Sequence, residues 1–451
     1  LPWKNVIYND YCLGKMYLPR NIDKELNAWG KEKEGKPLLI RGARQVGKST
    51  AVKELSKQFE YFLEVNFEEQ RQVHKLFEGN LEPKELCENL SILYNIPIIP
   101  RKTLLFFDEI QSCIPAISSL RFFYEKYPEL HVIAAGSLLE FALSEIPSYG
   151  VGRIRSLFVY PLSFDEYLTG IGEKLLLEAK KKATLEKPLA GPIHEKLLTH
   201  FKRFLIIGGM PEVVASYVKH NHINECGQVL DDLITSLKAD FSKYKKQVPF
   251  LRISEVFDAV IQQSGNKFTY TKAATEANIK QVKEAIDLLI MAGLVIPVTH
   301  TAANGLPLGA ESNPKKRKML LLDTGIFQRL LGLNVSEILF EDNFDVINKG
   351  AIAEQYVGLE LLKSFSCYRQ ESLYFWHREI KNSNAEVDYV IQKNENIIPI
   401  EVKSGTKGSM QSMFLFLDEK KAPYGVRFSM ENYSSYGDIR VFPLYSVSNL
   451  F

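Results

Sequence analysis

Cysteine is scarce and scattered. Five occur in 451 residues (Cys12, Cys87, Cys113, Cys226, Cys367), with no C-x-x-C pair. An odd, dispersed set excludes a disulfide framework and a thiolate zinc site, and it reads as reduced thiols in a cytoplasmic compartment. Long apolar runs are missing as well. None approaches the roughly 20 residues that a membrane span requires, and Leu1 to Leu13 lacks the pattern of a signal peptide. Neither sign of charge is in excess: 56 Lys+Arg against 54 Asp+Glu leave a formal net charge of +2. The whole molecule therefore advertises neither nucleic-acid nor membrane binding, and any basic surface must be local. What is present is a globular composition, 45% hydrophobic and 24% charged, in a chain too long for one ordinary core, so about three units are expected.

The stretch Leu38 to Thr50 organises the rest. Leu38, Leu39 and Ile40 read as a short buried strand, and Ala51 to Phe59 as an amphipathic helix. Between them Gly42, Ala43, Arg44, Gln45, Val46, Gly47, Lys48 and Ser49 fit the phosphate-binding pattern G-x-x-x-x-G-K-[ST], with Thr50 closing the stretch. Glycines let backbone N–H groups wrap an anion, and the helix N-terminus adds a favourable dipole. Lys48 is expected to reach the β- and γ-phosphates of a nucleotide, and the Ser49 hydroxyl to ligate Mg²⁺. The bland alternative is an ordinary Gly-rich turn.

Strands are expected over Tyr61–Phe67 and Thr103–Phe107, the second followed at once by Asp108 and Glu109. An apolar strand ending in two acids is the Walker B arrangement, and two acids serve two tasks: Asp108 to hold the Mg²⁺ shell, Glu109 to position or deprotonate the attacking water. A fourth strand, His131–Ala135, ends in Gly136-Ser137, which makes Ser137 the candidate for contact with the water or the γ-phosphate. A fifth strand is expected over Ser156–Tyr160. Just before it, Arg153 or Arg155 is placed to act as an arginine finger, with a plain surface arginine as the alternative. Residues Met16 to Arg20 and the helical run Asp23–Lys33 are expected beside the adenine.

GARQVGKST, LLFFDEIQ, AAGSLLEF, GR followed by YPLSFDEYL, and GGMPEVV occur in this order. Together they resemble a large prokaryotic family of AAA-type ATPases with a C-terminal domain of unknown function. The similarity runs from about Tyr17 to about Gly405. It implies ATP binding and hydrolysis with Mg²⁺.

From Pro161 to about Tyr244 the pattern is helical, broken at Gly208-Gly209-Met210-Pro211. Lys180-Lys181-Lys182 reads as a solvated helix face. His220-Asn221-His222 lacks the spread of a His-Asn-His nuclease motif. Ile253 to Val298 reads as a winged helix: a first helix to Gln263, a second over Lys272–Ala277, and a third with Val282, Ala285, Ile286, Leu289 and Ile290 at helical spacing. Wing strands are expected over Leu294–Val298 and Met319–Leu322. Lys315-Lys316-Arg317-Lys318 would lie between them, near or just past the wing tip, either on DNA phosphates or simply solvated.

Ala385–Ile391 and Ile397–Lys403 read as strands joined by a tight turn at Asn394-Glu395. That turn sets Asp388 directly opposite Glu401, with Lys403 on the same face as Glu401. Two acids beside a lysine suit a metal-dependent phosphodiesterase, the carboxylates holding Mg²⁺ and the lysine orienting water. The pattern resembles the PD-(D/E)xK nuclease core, and Glu354 in the run Gly350–Val357 matches the additional acid of that fold. The alternative is a surface salt bridge on an ordinary hairpin.

The expected fold class is α/β: a P-loop AAA-type ATPase domain (1–160), a helical lid (161–245), a winged-helix domain (246–335) and a restriction-endonuclease-like α/β domain (336–451). The expected partners are ATP/ADP, Mg²⁺ and DNA or RNA, with no membrane. A homo-oligomer is implied if an arginine finger acts in trans. Two functions stay open, an ATP-coupled nuclease and a nucleotide-dependent switch whose nuclease-like domain serves binding or assembly. Lys48→Ala is expected to abolish ATP binding; unchanged nucleotide affinity in a filter-binding assay contradicts the P-loop assignment.

Overall fold

Two sheets organise the chain in a computed structural model that describes residues 16–146, 152–244, 248–274, 278–332, 349–380, 383–405 and 408–451. Outside the described residues lie the expected features at Leu1–Leu13, Cys12, Val151 and 275–277. The expected boundaries at 245/246 and 335/336 do too. The contacts divide the chain into two units. The first runs to Tyr160 and includes Cys367–Gln370; the second holds Pro161–Ser366 and Glu371–Phe451. Among the described residues no helix is long and apolar enough to cross a membrane. Cys87, Cys113, Cys226 and Cys367 are free thiols.

In the first unit, β1 (Leu38–Arg41), β2 (Tyr61–Asn66), β3 (Thr103–Asp108), β4 (His131–Ala135) and β5 (Arg155–Phe158) form a parallel sheet in the order β2-β3-β4-β1-β5. Every residue of β3 and β4 is buried, which is why both read as apolar runs with no alternation. The helices are α1 (Ile22–Trp29), α2 (Lys48–Ser56), α3 (Pro83–Tyr94), α4 (Ile114–Lys126) and α5 (Leu139–Glu145). All five expected strands form; β5 begins and ends slightly early, and Phe158 N–H donates to Cys367 O at 2.8 Å. Because β4 lies between β1 and β3, the carboxyl ends that carry the P-loop, Ser137 and Asp108 are neighbours, the edge where open α/β sheets bind ligands.

The second unit starts with α6 (Phe164–Gly170), α7 (Lys174–Lys182), α8 (Gly191–Ile207), α9 (Pro211–His220) and α10 (Ile223–Ala239). Ser163 caps α6 through a reciprocal capping box with Glu166. The Lys180–Lys182 reading needs correction: Lys181 and Lys182 are exposed, but Lys180 is fully buried, 2.7 Å from Asp165 Oδ1 and bonded to Ser448 and Asn449. Helical pitch explains it. The last of the three lysines projects about 100° per residue away from the first, so one run spans a wet face and a dry one.

Next come α11 (Phe250–Gln262), α12 (Ile279–Met291) and the hairpin β6 (Val295–Thr301) and β7 (Ser312–Leu321). The buried stripe of α12 is Val282, Ala285, Ile286, Leu288 and Leu289. The expected second helix, Lys272–Ala277, runs outside the described residues; at its start the described residues form a 3₁₀ turn, Tyr270–Lys272. The wing is also different. Its strands are longer than expected, and β6 pairs in parallel with β8 (Leu373–His377), so the hairpin belongs to one eight-stranded sheet. Pairing with β8 satisfies the edge of β6 that an isolated two-stranded wing would leave open. The basic cluster therefore lies within β7 and not past its tip.

The sheet continues through β9 (Glu386–Lys393), β10 (Asn396–Val402), β11 (Gly425–Ser429), β12 (Ser434–Tyr436) and β13 (Ile439–Pro443), in the order β12-β13-β11-β10-β9-β8-β6-β7. The helices α13 (Thr324–Leu330), α14 (Lys349–Ser364) and α15 (Gln411–Lys420) accompany it. The turn at Asn394-Glu395 and the register Asn396↔Lys393 to Ile400↔Tyr389 are those read from the sequence, with Asn394 in the left-handed region. At Asp388 the side chain replaces the backbone as acceptor, taking the Val402 N–H at 2.8 Å.

One consequence concerns acid. His131 stands at the start of β4, edge-on to Trp29 (4.9 Å) and Phe59 (5.1 Å), and burial holds its pKa below the ordinary imidazole value. Burial does the same to His194 and His300. A depressed histidine pKa means that the unfolded chain binds more protons, so stability is present above the unfolded value and is lost as pH falls through it, near 6.5. Thermal unfolding at pH 7.5 and 5.5 is expected to show a lower midpoint in acid, with a smaller drop for His131→Phe. An equal drop in wild type and variant contradicts the assignment to His131.

Candidate functional site

The P-loop is shaped by two glycines. At Gly42 φ is +146°, and a Cβ there would come within 2.2 Å of Val159 O; Gly47, at φ +94°, starts α2 from the left-handed region. Gln45, at φ +62°, is exposed between them. Arg20 braces the loop, donating to Val46 O at 2.9 Å and Tyr160 O at 2.6 Å, so the segment before α1 supports the loop itself. Ala43 and Val46 are buried, Arg44 half-buried and Thr50 exposed.

Lys48 is buried and folds back on the loop, its Nζ donating to Gly42 O (2.9 Å) and Ala43 O (2.7 Å). Burial lowers its pKa to about 8, against the raising effect of the Glu109 and Asp108 charges. A lysine held by carbonyls in a dry site is one that a phosphate can recruit. Ser49 Oγ donates to Asp108 at 2.9 Å (Oδ2) and 3.1 Å (Oδ1). Burial first, then the neighbouring Glu109 charge, raises the Asp108 carboxyl to about 6. Its donors are neutral: the Ser49 hydroxyl and the Glu109 N–H at 3.1 Å. A buried acid in want of positive charge, facing the P-loop hydroxyl, fits Mg²⁺ well.

Glu109 sits at φ +49°, in the left-handed region that a non-glycine residue enters at a cost. Three donors converge on its Oε2: Gln111 Nε2 at 2.6 Å, Ser137 Oγ at 3.1 Å and Ser137 N–H at 3.3 Å. Ser137, expected on the water or the γ-phosphate, thus meets Glu109, the neighbour of Asp108. Gln111 was not singled out, although it stands two residues past Glu109 in the quoted LLFFDEIQ run. Arg153 is ion-paired with Glu125 at the end of α4, and Arg155 with Glu32 at 2.7 Å; both partners are ordinary surface acids.

The C-terminal residues also gather. Glu401 is buried and paired with Lys403, and its Oε2 meets no hydrogen-bond partner among the described residues. Burial and the nearby Asp388 charge raise its carboxyl to about 7. Glu354 on α14 is likewise raised to about 7, chiefly by burial. A residue not expected here is Lys318 of β7. Its Nζ lies 2.8 Å from Glu354 Oε1, 2.7 Å from Glu386 Oε1 and 3.7 Å from Asp388 Oδ1. Glu386 was also missed, although Glu386 and Asp388, two apart on a strand, share a face. Among the described residues no group of three or more His, Cys, Asp or Glu side chains is placed to hold a metal ion.

Residues 34–168 match the family model described as an AAA domain. Residues 198–337 and 349–447 match two further models, each described as a domain of unknown function (DUF8612 and DUF4143). No curated protein matches the chain. Among solved structures, the Walker-type ATPase PABY2304 of Pyrococcus abyssi is 12% identical, covering 70% of this chain and 96% of its own, with a TM-score of 0.47. The ORC1 protein of Aeropyrum pernix in complex with DNA is 13% identical, covers 70% and 94%, and has a TM-score of 0.32. RuvB of Thermotoga maritima is 14% identical, covers 70% and 95%, and also has a TM-score of 0.32.

Gly136 tests the clamp on Glu109, because a Cβ there would fall 2.0 Å from Gln111 Oε1, at the movable end of that side chain. Gly136→Ala and Gln111→Ala are each expected to lower kcat for ATP by about 10–100-fold with nucleotide affinity unchanged. Normal turnover in both contradicts a positioning role for Gln111. The match over residues 34–168 and the geometry of Lys48, Ser49, Asp108 and Glu109 agree: the N-terminal part of the chain is an AAA-type P-loop ATPase domain.

Proposed function

We propose that the protein is an ATP-hydrolysing switch, with ATP bound at Gly42–Thr50 and Glu109 as the general base. The observation that carries the reading is the convergence of Gln111 and Ser137 on Glu109 Oε2 beside the Ser49–Asp108 pair. P-loop N–H groups and Lys48 hold the phosphates. Ser49 and Asp108 would hold Mg²⁺, whose charge would offset that developing on the phosphoryl oxygens. Gln111 and Ser137 fix one carboxylate oxygen of Glu109, and Oε1, which meets no donor among the described residues, accepts the proton of the attacking water. Arg153 and Arg155 lie downstream, and the trans role of either requires a second copy of the chain.

For the C-terminal domain we favour binding or assembly, under nucleotide control, over cleavage of DNA or RNA. The ammonium of Lys318 among Glu354, Glu386 and Asp388 supports that preference. The basic run on β7 offers less to nucleic acid than it promised: Lys315 is exposed, Lys316 is paired with Glu379, and Lys318 is buried. A nuclease reading has one observation in its favour, the placement of Asp388, Glu401 and Lys403 at one end of the β9–β10 pair.

Glu109→Gln is expected to bind ATP normally and to turn it over at least about 100-fold more slowly; wild-type turnover removes Glu109 from its role. With DNA and RNA substrates and Mg²⁺ or Mn²⁺, wild type and Asp388→Ala are both expected to leave the strands intact. Cleavage by wild type that Asp388→Ala abolishes restores the nuclease reading.

A further inference from the structure

We infer that Lys318 is the resident cation of the C-terminal carboxylate cluster and takes the place that a divalent metal holds in a nuclease-like site. The inference takes its site from the nuclease-like reading of β9 and β10, and it asks a separate question, namely what neutralises the acids.

Lys318 is 1% exposed, so its ammonium has no water to fall back on and must be met by protein groups. They come from two elements besides its own. Glu354 projects from α14; Glu386 and Asp388 share one face of β9. The Phe375 ring lies 5.4 Å from Nζ and adds a second, weaker source of negative potential. Lys267 reaches the other oxygen of Glu386 at 3.2 Å.

A metal has little left to bind. Glu354 Oε1 and Glu386 Oε1 already face the ammonium. Asp388 Oδ2 accepts the Val402 N–H, and Glu401 Oε1 is held by Lys403. Among the described residues, Glu401 Oε2 is the one oxygen of these acids that is buried without a hydrogen-bond partner, and Asp388 Oδ1 lies 3.7 Å from the ammonium, so a metal held by two carboxylates and water would have to displace Lys318. Two hydrogen bonds fasten this arrangement. Leu321 N–H of β7 donates to Gln355 Oε1 of α14 at 3.2 Å, and Tyr389 OH of β9 donates to Glu354 O at 2.8 Å. The strand that carries Lys318 and the helix that carries Glu354 are thus tied together three residues past the lysine and one residue past the glutamate. The cluster joins the edge hairpin to the C-terminal elements with a charge that the chain supplies itself.

The test is Mn²⁺ binding by electron paramagnetic resonance, on nucleotide-free protein carrying Asp108→Asn so that the ATPase domain contributes no site. The Asp108→Asn protein is expected to show no saturable Mn²⁺ binding, and the further change Lys318→Met to create a saturable site that Asp388→Asn removes. Should Lys318→Met be too unstable to purify, Lys318→Met/Glu354→Gln removes the ammonium together with a buried carboxylate partner and carries the same expectation from Glu386, Asp388 and Glu401. Saturable Mn²⁺ binding with Lys318 present that is lost on Asp388→Asn overturns the inference. So does the lack of any site in the folded Lys318 variant. Binding and cleavage are separate readouts: metal bound in the presence of Lys318 without strand cleavage would count against this inference and not for a nuclease.

Discussion

A charge withdrawn from water must be met by an opposite charge or by well-placed hydrogen bonds, and that constraint governs both units of this chain. Lys180 is met by Asp165, Ser448 and Asn449; Glu360 by Lys363 and the Phe164 N–H; Lys318 by three carboxylates. At the ATPase site the constraint is left half-answered. Lys48 rests on two carbonyls and Asp108 on a hydroxyl and an N–H, all neutral partners. The lysine is correspondingly pushed down to about 8 and the acid up to about 6. On the proposed reading, polyanionic phosphate and its metal would supply the missing charges.

The contrast separates two clusters that the sequence makes look alike. Each places acids at strand ends near a lysine. In the ATPase domain, β4 separates β1 from β3, so Lys48, Ser49, Ser137 and the two acids stand around a common edge where a ligand can enter. In the second unit, a lysine from another strand reaches into the acids and closes the electrostatic account internally. On the readings proposed above, the same kinds of residue give a site that recruits a cation in one case and a structural tie in the other.

Much of this was legible in the residues. The five strands of the first sheet and the shape of the P-loop follow from apolar runs and local motif spacing. The β9–β10 register followed from a two-residue turn, since a fixed loop length fixes the pairing. What escaped is non-local. Nothing near Lys318 says that it will sit beside Glu354 and Glu386, 36 and 68 residues further along the chain. Its run of basic neighbours points instead to solvent. The parallel pairing of β6 with β8 is likewise a long-range event, and it converts an expected free wing into part of a larger sheet. Gln111 was hidden for a different reason: its role depends on the left-handed backbone at Glu109, which turns the chain so that the amide returns to the carboxylate.

The central claim is that this chain recruits a metal at one carboxylate site and supplies its own cation at the other. Equilibrium dialysis of the wild-type protein against Mn²⁺, with and without a non-hydrolysable ATP analogue, tests it most directly. The account requires Mn²⁺ to be retained only with nucleotide and at one ion per chain. A nucleotide-independent ion that disappears in Asp388→Asn would contradict it.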